Sequence, residues 1–292
     1  MLLRKPLFAF FISLASSCSY ATPYSFTSEK TTLVQVVSNM VLMKGGEFRM
    51  GAQNNKSKPV KINGFYLSSY PITWEMFKSY KKSLKMPVNT TPGDLLPFYN
   101  GVYPAAVTIK QAKAFCGWVA RKTGLPAALI SDKQWEYAAR SGGKNILYST
   151  NNNTLEPGKN LPSKEDLKLK YRGRMFFPDS VKVNKYPPNS AGIYLMGLNG
   201  VEWTKDKYYP ILSRPDIISD SMKKNHPFTV RGTTSSDISD FSDPKLSKSY
   251  RNNIRQLLTV YNRLSSPPNE NFSFRCVINT NKPIPKKWLT QP

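Results

Sequence analysis

The chain has 292 residues, of which 40% are apolar and 12% aromatic, so it can bury a sizeable core and is not a disordered or fibrous protein. Lys and Arg outnumber Asp and Glu by 42 to 18, which gives a formal net charge of +24. This charge favours anionic partners, but it does not by itself indicate specific nucleic-acid binding, because lipid headgroups and acidic glycans are attracted equally.

The first 21 residues have the organisation of a secretory signal. Arg4 and Lys5 precede an apolar run at 7–14, which is too short to span a membrane. Ser19-Tyr20-Ala21 suits ordinary cleavage after residue 21. Alternatively, Leu14–Cys18 resembles a bacterial lipobox, which would limit the signal to 1–17 and place a lipid on Cys18. We therefore expect an exported protein, either a lipoprotein of the outer membrane, periplasm or cell surface, or a soluble periplasmic or secreted protein.

Processing at either position leaves Cys116 and Cys276 as the cysteines of the folded domain. An even pair in an oxidising compartment invites a disulfide. The alternative is two buried free thiols.

The elements are predicted in chain order. Residues 22–39 are polar and without periodicity, which indicates a linker, so the folded domain is expected at 40–280. Strands are predicted at 40–43 and 47–50 around a glycine turn, and a further strand at 60–67.

Three helices have recognisable starts. Thr73 can cap a helix that runs to about Lys82. Thr108 begins a capping box with Gln111, and the apolar face of that helix points Cys116 inward. A second capping box, Ser131 with Gln134, starts a short helix that ends at a pair of glycines at 142–143.

The rest of the chain is less regular. Residues 145–184 and 205–224 have weak periodicity and are interpreted as long surface excursions. Strands are predicted at 228–232 and 272–277, and 281–292 as a basic tail.

Motifs spread from about Met40 to Ile278 resemble those of the formylglycine-generating enzyme, or sulfatase-modifying factor, family. The resemblance implies an α+β, C-type-lectin-like fold with little regular secondary structure and long loops. It also implies that Cys116 pairs with Cys276. The matching segments are Gly45–Gly51, Ala112–Trp118, Trp135–Arg140 with its two glycines, Pro188–Thr204, Arg231–Thr234 and Ser273–Arg275.

The redox metal sites of the family are missing from this sequence. Catalytic members hold copper with two thiolates just beyond the segment that matches Arg231–Thr234, whereas 233–250 contains no cysteine. Relatives that use non-haem iron need several imidazoles, and His226 is the one histidine. We therefore expect neither copper nor iron and assign no catalytic residue; His226 is interpreted as an ordinary exposed or capping residue.

The family also carries calcium, and the resemblance implies Asn199 and Glu202 as ligands here. The alternative for Glu202 is a buried carboxylate that accepts hydrogen bonds from backbone amides. Trp135, Tyr137 and Trp203 are interpreted as core residues rather than ligand-stacking groups.

Two functional hypotheses follow. The first is a non-catalytic envelope or surface (lipo)protein that binds anionic envelope or host-surface components, similar to family members that help a bacterial symbiont colonise a nematode host. The alternative is a periplasmic oxidase of the branch that matures peptide siderophores, which would need a perturbed carboxylate in a pocket. The carboxylates to be tested for this are Glu47, Glu136, Glu202 and Asp206.

Overall fold

The computed structural model describes residues 27–51, 59–88, 101–167, 169–171, 174–176, 180–208 and 225–290. In these ranges the helices are α1 (Glu29–Ser38), α2 (Trp74–Ser83), α3 (Ile109–Thr123), α4 (Asp132–Ala139), α5 (Ser235–Ser242) and α6 (Lys248–Leu257), with a 3-10 helix at Lys286–Trp288. The strands are β1 (Met40–Met43), β2 (Gly46–Arg49), β3 (Pro59–Ile62), β4 (Phe65–Ser68), β5 (Ala127–Leu129), β6 (Leu169–Tyr171), β7 (Arg174–Phe176), β8 (Gly200–Lys207), β9 (Phe228–Thr233), β10 (Arg263–Ser266), β11 (Ser273–Phe274) and β12 (Cys276–Ile278).

Two four-stranded sheets organise the fold, and the end of the chain joins them. One sheet has the order β1-β4-β12-β5 and is antiparallel throughout. The other has the order β10-β9-β8-β11, in which β11 pairs with β8 in parallel. Because β11 and β12 are separated only by Arg275, that residue lies where the two sheets meet.

The largest core cluster lies where α2 and α3 cover the second sheet. Phe115 stacks on Phe77 with ring centroids 5.9 Å apart and meets Phe274 edge-on at 5.5 Å. Trp203 is fully buried in the same cluster and packs against Phe272. A second cluster contains Trp135 and Tyr137, both buried. The interpretation of these tryptophans and the tyrosine as core residues is confirmed.

The predicted helix starts are also confirmed. Thr73 caps α2, and Thr108 and Ser131 form capping boxes at the starts of α3 and α4 with Gln111 and Gln134. The predicted strand at 60–67 is instead two strands, β3 and β4, on either side of a break at 63–64.

The predicted linker at 22–39 is wrong over its second half. Residues 29–38 form α1, and its Leu33, Val34, Val36 and Val37 are buried. Leu33, Val36 and Val37 follow the i, i+3, i+4 spacing of a buried helix face, and Thr32 and Val34 widen that face. The folded domain therefore begins before residue 40.

The predicted basic tail at 281–292 is also folded in part. Ile284 is buried against Val37 of α1 and Ile278 of β12, and Trp288 packs on the same cluster. The lysines of this segment stay exposed, which explains why composition alone indicated a solvated tail.

Residues 145–184, which were predicted to be a surface excursion, contribute to a separate hydrophobic cluster. Leu161, Leu167 and Val181 are buried in a cluster with Ile238 of α5 and Ile254 of α6. Asp166 ties this layer together, because its carboxylate accepts hydrogen bonds from Ser163, Lys185 and Tyr186. This part of the chain is thus packed, not a simple surface loop.

Asp166 gives this layer a pH-dependent stability. Burial would raise the pKa of Asp166, but hydrogen bonds from Lys185, Tyr186 and Ser163 outweigh burial and lower it to about 2 from 3.8. Because the folded state holds the ionised form, its stabilisation is complete above the unfolded pKa near 4 and is lost as the pH falls through about 2. We expect Asp166→Asn to lower the free energy of unfolding by about 1–2 kcal/mol at pH 7.

Urea denaturation of wild type and Asp166→Asn at a series of pH values checks this. The difference between the two proteins should shrink towards zero near pH 2. Glu270→Gln, at an exposed position, is the control and should leave the midpoint unchanged. A difference that is constant with pH would contradict the role of the Asp166 charge.

None of the helices within the described ranges is both long and apolar enough to cross a bilayer.

Candidate functional site

Glu202 and Arg275 form a buried ion pair at the junction of the two sheets. Arg275 donates from Nε to Oε2 and from Nη2 to Oε1, both at 3.0 Å. The Glu202 carboxylate also accepts a hydrogen bond of 2.9 Å from Nε1 of Trp135. The remaining guanidinium hydrogens go to the backbone carbonyls of Ser68, Ser69 and Tyr194. The carboxylate of Glu202 and the guanidinium of Arg275 are therefore fully hydrogen-bonded within the protein.

A second buried network surrounds Glu136 of α4. Its Oε1 accepts from the Gly51 amide at 2.7 Å and from Nε of Arg140 at 2.9 Å. Its Oε2 accepts from Nη2 of Arg231 at 2.6 Å. Arg231 in turn donates to Asp132 at 2.6 Å, so one guanidinium joins two carboxylates of the same helix to strand β9.

Trp135 connects the two networks. Its ring lies under the Arg231 guanidinium at 5.2 Å, and its Nε1 donates to Glu202. The close packing depends on Gly197, which has φ +74°; a Cβ there would come within 2.8 Å of the Trp135 ring. A glycine at position 197 therefore permits the packing of this tryptophan.

The arginines of the Glu136 network differ in their electrostatic surroundings. Burial opposes the charge of Arg231, but Asp132 and Glu136 outweigh it and raise the pKa of Arg231. Arg263 lies at the edge of the network, bonded to Asp132. Burial and the neighbouring Arg231 charge lower the pKa of Arg263. The network is held by charge compensation and exposes no unpaired carboxylate.

The other two carboxylates selected from the sequence are Asp206 and Glu47. Asp206 accepts the Asp132 amide at 2.6 Å and so satisfies a free N–H in the first turn of α4. Glu47 is exposed on β2. The structure therefore connects Glu136 and Glu202 through Arg231 and Trp135, and it places Asp206 against the backbone at the start of α4.

The side chains of Asn199 and Glu202 do not fit the calcium site that the sequence predicted. The side-chain amide of Asn199 is hydrogen-bonded to the backbone of Val181. It accepts from the Val181 N–H at 2.7 Å and donates to the Val181 carbonyl at 3.0 Å. Both oxygens of Glu202 face a guanidinium, which repels a cation, whereas Ca²⁺ needs six to eight oxygen ligands. The alternative, a buried carboxylate, is confirmed for the burial of Glu202, but its hydrogen-bond donors are the side chains of Arg275 and Trp135 rather than backbone amides.

The structure joins Cys116 of α3 and Cys276 of β12 in a disulfide, with both residues fully buried and their Cα atoms 5.6 Å apart. It fastens α3 to the closing strand of the first sheet. Cys18 lies outside the described residues.

The segment that follows Arg231–Thr234 forms α5 and α6. Thr234 and Asp237 make a capping box at the start of α5, which the sequence analysis missed although the spacing is the usual one. The cluster of Ile238, Phe241 and Ile254 anchors both helices. No group of three or more His, Cys, Asp or Glu side chains in the described part of the chain is arranged to hold a metal ion.

His226 is partly exposed just before β9.

Sequence reasoning also missed that Arg140, Arg231 and Arg275 are fully buried. The signal was available, because each is the basic residue of one of the motifs, next to apolar neighbours at 138–139, 230 and 274. What periodicity could not provide is the identity of their carboxylate partners.

Comparison with known proteins identifies the scaffold. A family described as "Sulfatase-modifying factor enzyme 1-like domain" matches residues 25–280. The chain belongs to this family. The match includes all of α1, in agreement with the earlier start of the folded domain.

Several curated relatives are similar in sequence. "Serine/threonine-protein kinase pkn1" of Chlamydia pneumoniae is 26% identical over 195 residues, covering 59% of this chain and 28% of the relative. "Formylglycine-generating enzyme" of Bos taurus is 28% identical over 102 residues, covering 34% of this chain and 26% of the relative. "Inactive C-alpha-formylglycine-generating enzyme 2" of Mus musculus is 26% identical over 179 residues, covering 61% and 49%. The matched segments thus span between about a quarter and half of these relatives.

Solved structures share the fold. PvdO from Pseudomonas aeruginosa superposes with a TM-score of 0.55 at 19% identity, covering 82% of this chain and 94% of that chain. Treponema denticola variable protein 1 superposes with a TM-score of 0.52 at 15% identity, covering 82% and 95%. The expected α+β fold of the sulfatase-modifying factor family is confirmed.

Proposed function

We propose that this chain is an exported, non-catalytic member of the family that acts by binding at the bacterial envelope or at a host surface. The proposal rests on the positions and the bonding of its cysteines. Catalytic members need two thiolates beyond the segment that matches Arg231–Thr234, and this chain has helices α5 and α6 there without a cysteine. The remaining pair, Cys116 and Cys276, is tied in a buried disulfide.

The carboxylates support the same conclusion. A general base must have a free lone pair within reach of its substrate. Both oxygens of Glu136 and of Glu202 instead accept hydrogen bonds from buried arginines. These residues stabilise the scaffold, and a ligand would have to be bound by other parts of the surface.

A relative supports non-catalytic use of the domain, since the mouse protein aligned over 61% of this chain is named as inactive. The net charge of +24 supports anionic partners, such as headgroups or glycans of an envelope or host surface. The oxidase alternative is not better supported, because the solved structures are under 25% identical and add likeness of fold alone.

Metal and thiol analysis of the purified processed chain tests the proposal. We expect less than one copper or iron per ten chains after incubation and desalting, and no oxidation of a cysteine peptide in the presence of oxygen. Thiol titration of the denatured protein should find no free thiol before reduction and two per chain after it, because Cys116 and Cys276 are the cysteines that remain.

A matched control separates a scaffold disulfide from a redox pair. Cys116→Ser/Cys276→Ser removes both thiols without changing the sequence of α5 and α6, so it should bind as little metal as wild type. Stoichiometric copper in wild type that this variant loses, or turnover of the peptide, would overturn the proposal.

A further inference from the structure

We infer that the ends of three helices form a surface that docks on an anionic phospholipid bilayer. We call it the helix-end surface; it consists of Lys81, Lys82, Leu84, Lys85, Met86, Arg121 and Lys122. The inference deepens the binding role proposed above and rests on it, because it names the partner and the face that would meet it.

The three helix ends are brought together by specific contacts. At the start of α1, the hydroxyls of Thr27 and of Ser79 in α2 lie 3.0 Å apart. Lys122, in the last turn of α3, pairs with Glu29 at 2.9 Å. Tyr80 of α2 packs on Trp118 of α3 with ring centroids 5.2 Å apart. The last turns of α2 and α3 therefore flank the point where the chain enters the domain.

This surface is strongly cationic. Lys82, Lys85, Arg121 and Lys122 are exposed, and Lys81 is half-buried. Helices α1, α2 and α3 contain just Glu29 and Glu75 as acidic residues, and Glu75 lies in the opposite, first turn of α2. Compensation of helix dipoles does not require so many cations, since α1, α4 and α5 have no basic residue in the last turn.

Apolar side chains stand among these cations. Leu84 is 42% exposed and Met86 is 44% exposed. A cationic rim around exposed aliphatic side chains is the composition that favours the boundary between headgroups and acyl chains, whereas a soluble polyanion would use the charges alone.

The backbone conformation that exposes Lys85 and Met86 is strained at Lys85. The amide of Lys85 donates to the Lys82 carbonyl at 3.0 Å and that of Met86 to the Lys81 carbonyl at 2.9 Å, the pattern of a Schellman motif. Its left-handed position is occupied by Lys85 at φ +54°, where glycine is usual. The apolar partner that normally covers the last residue of the motif is replaced by Lys81, so Met86 remains exposed.

The tether length agrees with membrane contact. Cys18 precedes Thr27 by nine residues, so a lipid on Cys18 would lie within about 30 Å of Thr27 even if the intervening chain were fully extended. An anchored domain would thus have its cationic face beside the bilayer, and a lipid anchor and a polybasic surface together are what stable attachment needs.

Vesicle sedimentation of the processed chain from Thr22, which contains every described residue, tests this inference. Phosphatidylcholine vesicles with phosphatidylglycerol should bind the protein, and pure phosphatidylcholine vesicles should not. Each lysine near such a surface contributes about fivefold in affinity, so Lys81→Gln/Lys82→Gln/Lys85→Gln should bind about 100-fold more weakly. Lys205→Gln/Lys245→Gln/Lys248→Gln removes the same charge from exposed positions elsewhere and should stay within about threefold of wild type.

Two further variants distinguish a bilayer from a soluble polyanion and from a purely structural role of the lysines. Leu84→Ser/Met86→Ser should weaken vesicle binding about tenfold but leave binding to heparin unchanged, since heparin has no apolar phase. Lys85→Gly should relieve the left-handed strain and raise the melting temperature, while weakening vesicle binding about fivefold. A surface with a merely structural role would not separate stability from binding in this way.

Equal losses for the two triple variants, or no preference for phosphatidylglycerol, would overturn the docking surface. Failure of the non-catalytic proposal is a separate result, because it is read from metal content and peptide oxidation. A protein that oxidised a cysteine peptide but still bound vesicles through Lys81, Lys82 and Lys85 would keep this inference and lose the other.

Discussion

Glu136→Gln is expected to lower the free energy of unfolding by about 3–5 kcal/mol, because it leaves buried arginines without their compensating charge. The side chain is fully buried and binds Arg140 and Arg231, which are also fully buried. The amide of glutamine would keep the volume but bring an NH₂ group against a guanidinium. Urea denaturation followed by circular dichroism at pH 7 measures the loss.

The matched control is Glu47→Gln, the same substitution at an exposed position of β2, which should change the stability by less than about 0.5 kcal/mol. If the glutamine variant does not fold, Glu136→Asp serves instead and should retain part of the stability, since it keeps the charge. Equal stability of Glu136→Gln and wild type would show that the network does not depend on this charge.

Removal of the disulfide by Cys116→Ala/Cys276→Ala is expected to cost up to about 5 kcal/mol. The bond joins residues separated by 160 positions, and closing so long a loop restricts the unfolded chain by about that amount in the chain-entropy model. Both sulfur atoms are buried between α3 and β12, so their loss also leaves a small cavity. The melting temperature of the double variant measures the effect.

Reduction of wild type provides the matched comparison. Dithiothreitol should lower the melting temperature of wild type towards that of the alanine variant and should leave the variant itself unchanged. An alanine variant as stable as the oxidised protein would contradict a stabilising role for the bond between Cys116 and Cys276.

The buried ion pairs explain what the arginines of the family motifs do in this chain. Arg140, Arg231 and Arg275 each belong to a different motif, and each pairs with Glu136 or Glu202. These ion pairs stabilise the scaffold. Retention of the motifs is thus compatible with the proposed non-catalytic role, since the ion pairs and the metal-binding thiolates of catalytic members are different residues.

Local patterns in the sequence were sufficient for some elements. The caps at Thr73, Thr108 and Ser131 and the strands at 40–43 and 228–232 follow from short-range hydrogen bonding and alternation, which a few neighbouring residues determine. Helix α1 and the segment at Ile284 were missed, because their burial depends on residues far away in the chain.

The sequence by itself determined the family, the apolar face of α3, and the lack of thiolates and imidazoles for a redox metal, since residue type and spacing carry that information. The tertiary structure alone decided which carboxylate each arginine meets, that Glu202 and Asn199 are engaged within the protein, and that the ends of α2 and α3 flank the start of α1. The reason is that charge pairing and the convergence of helix ends depend on distances through space, which the order of residues does not contain.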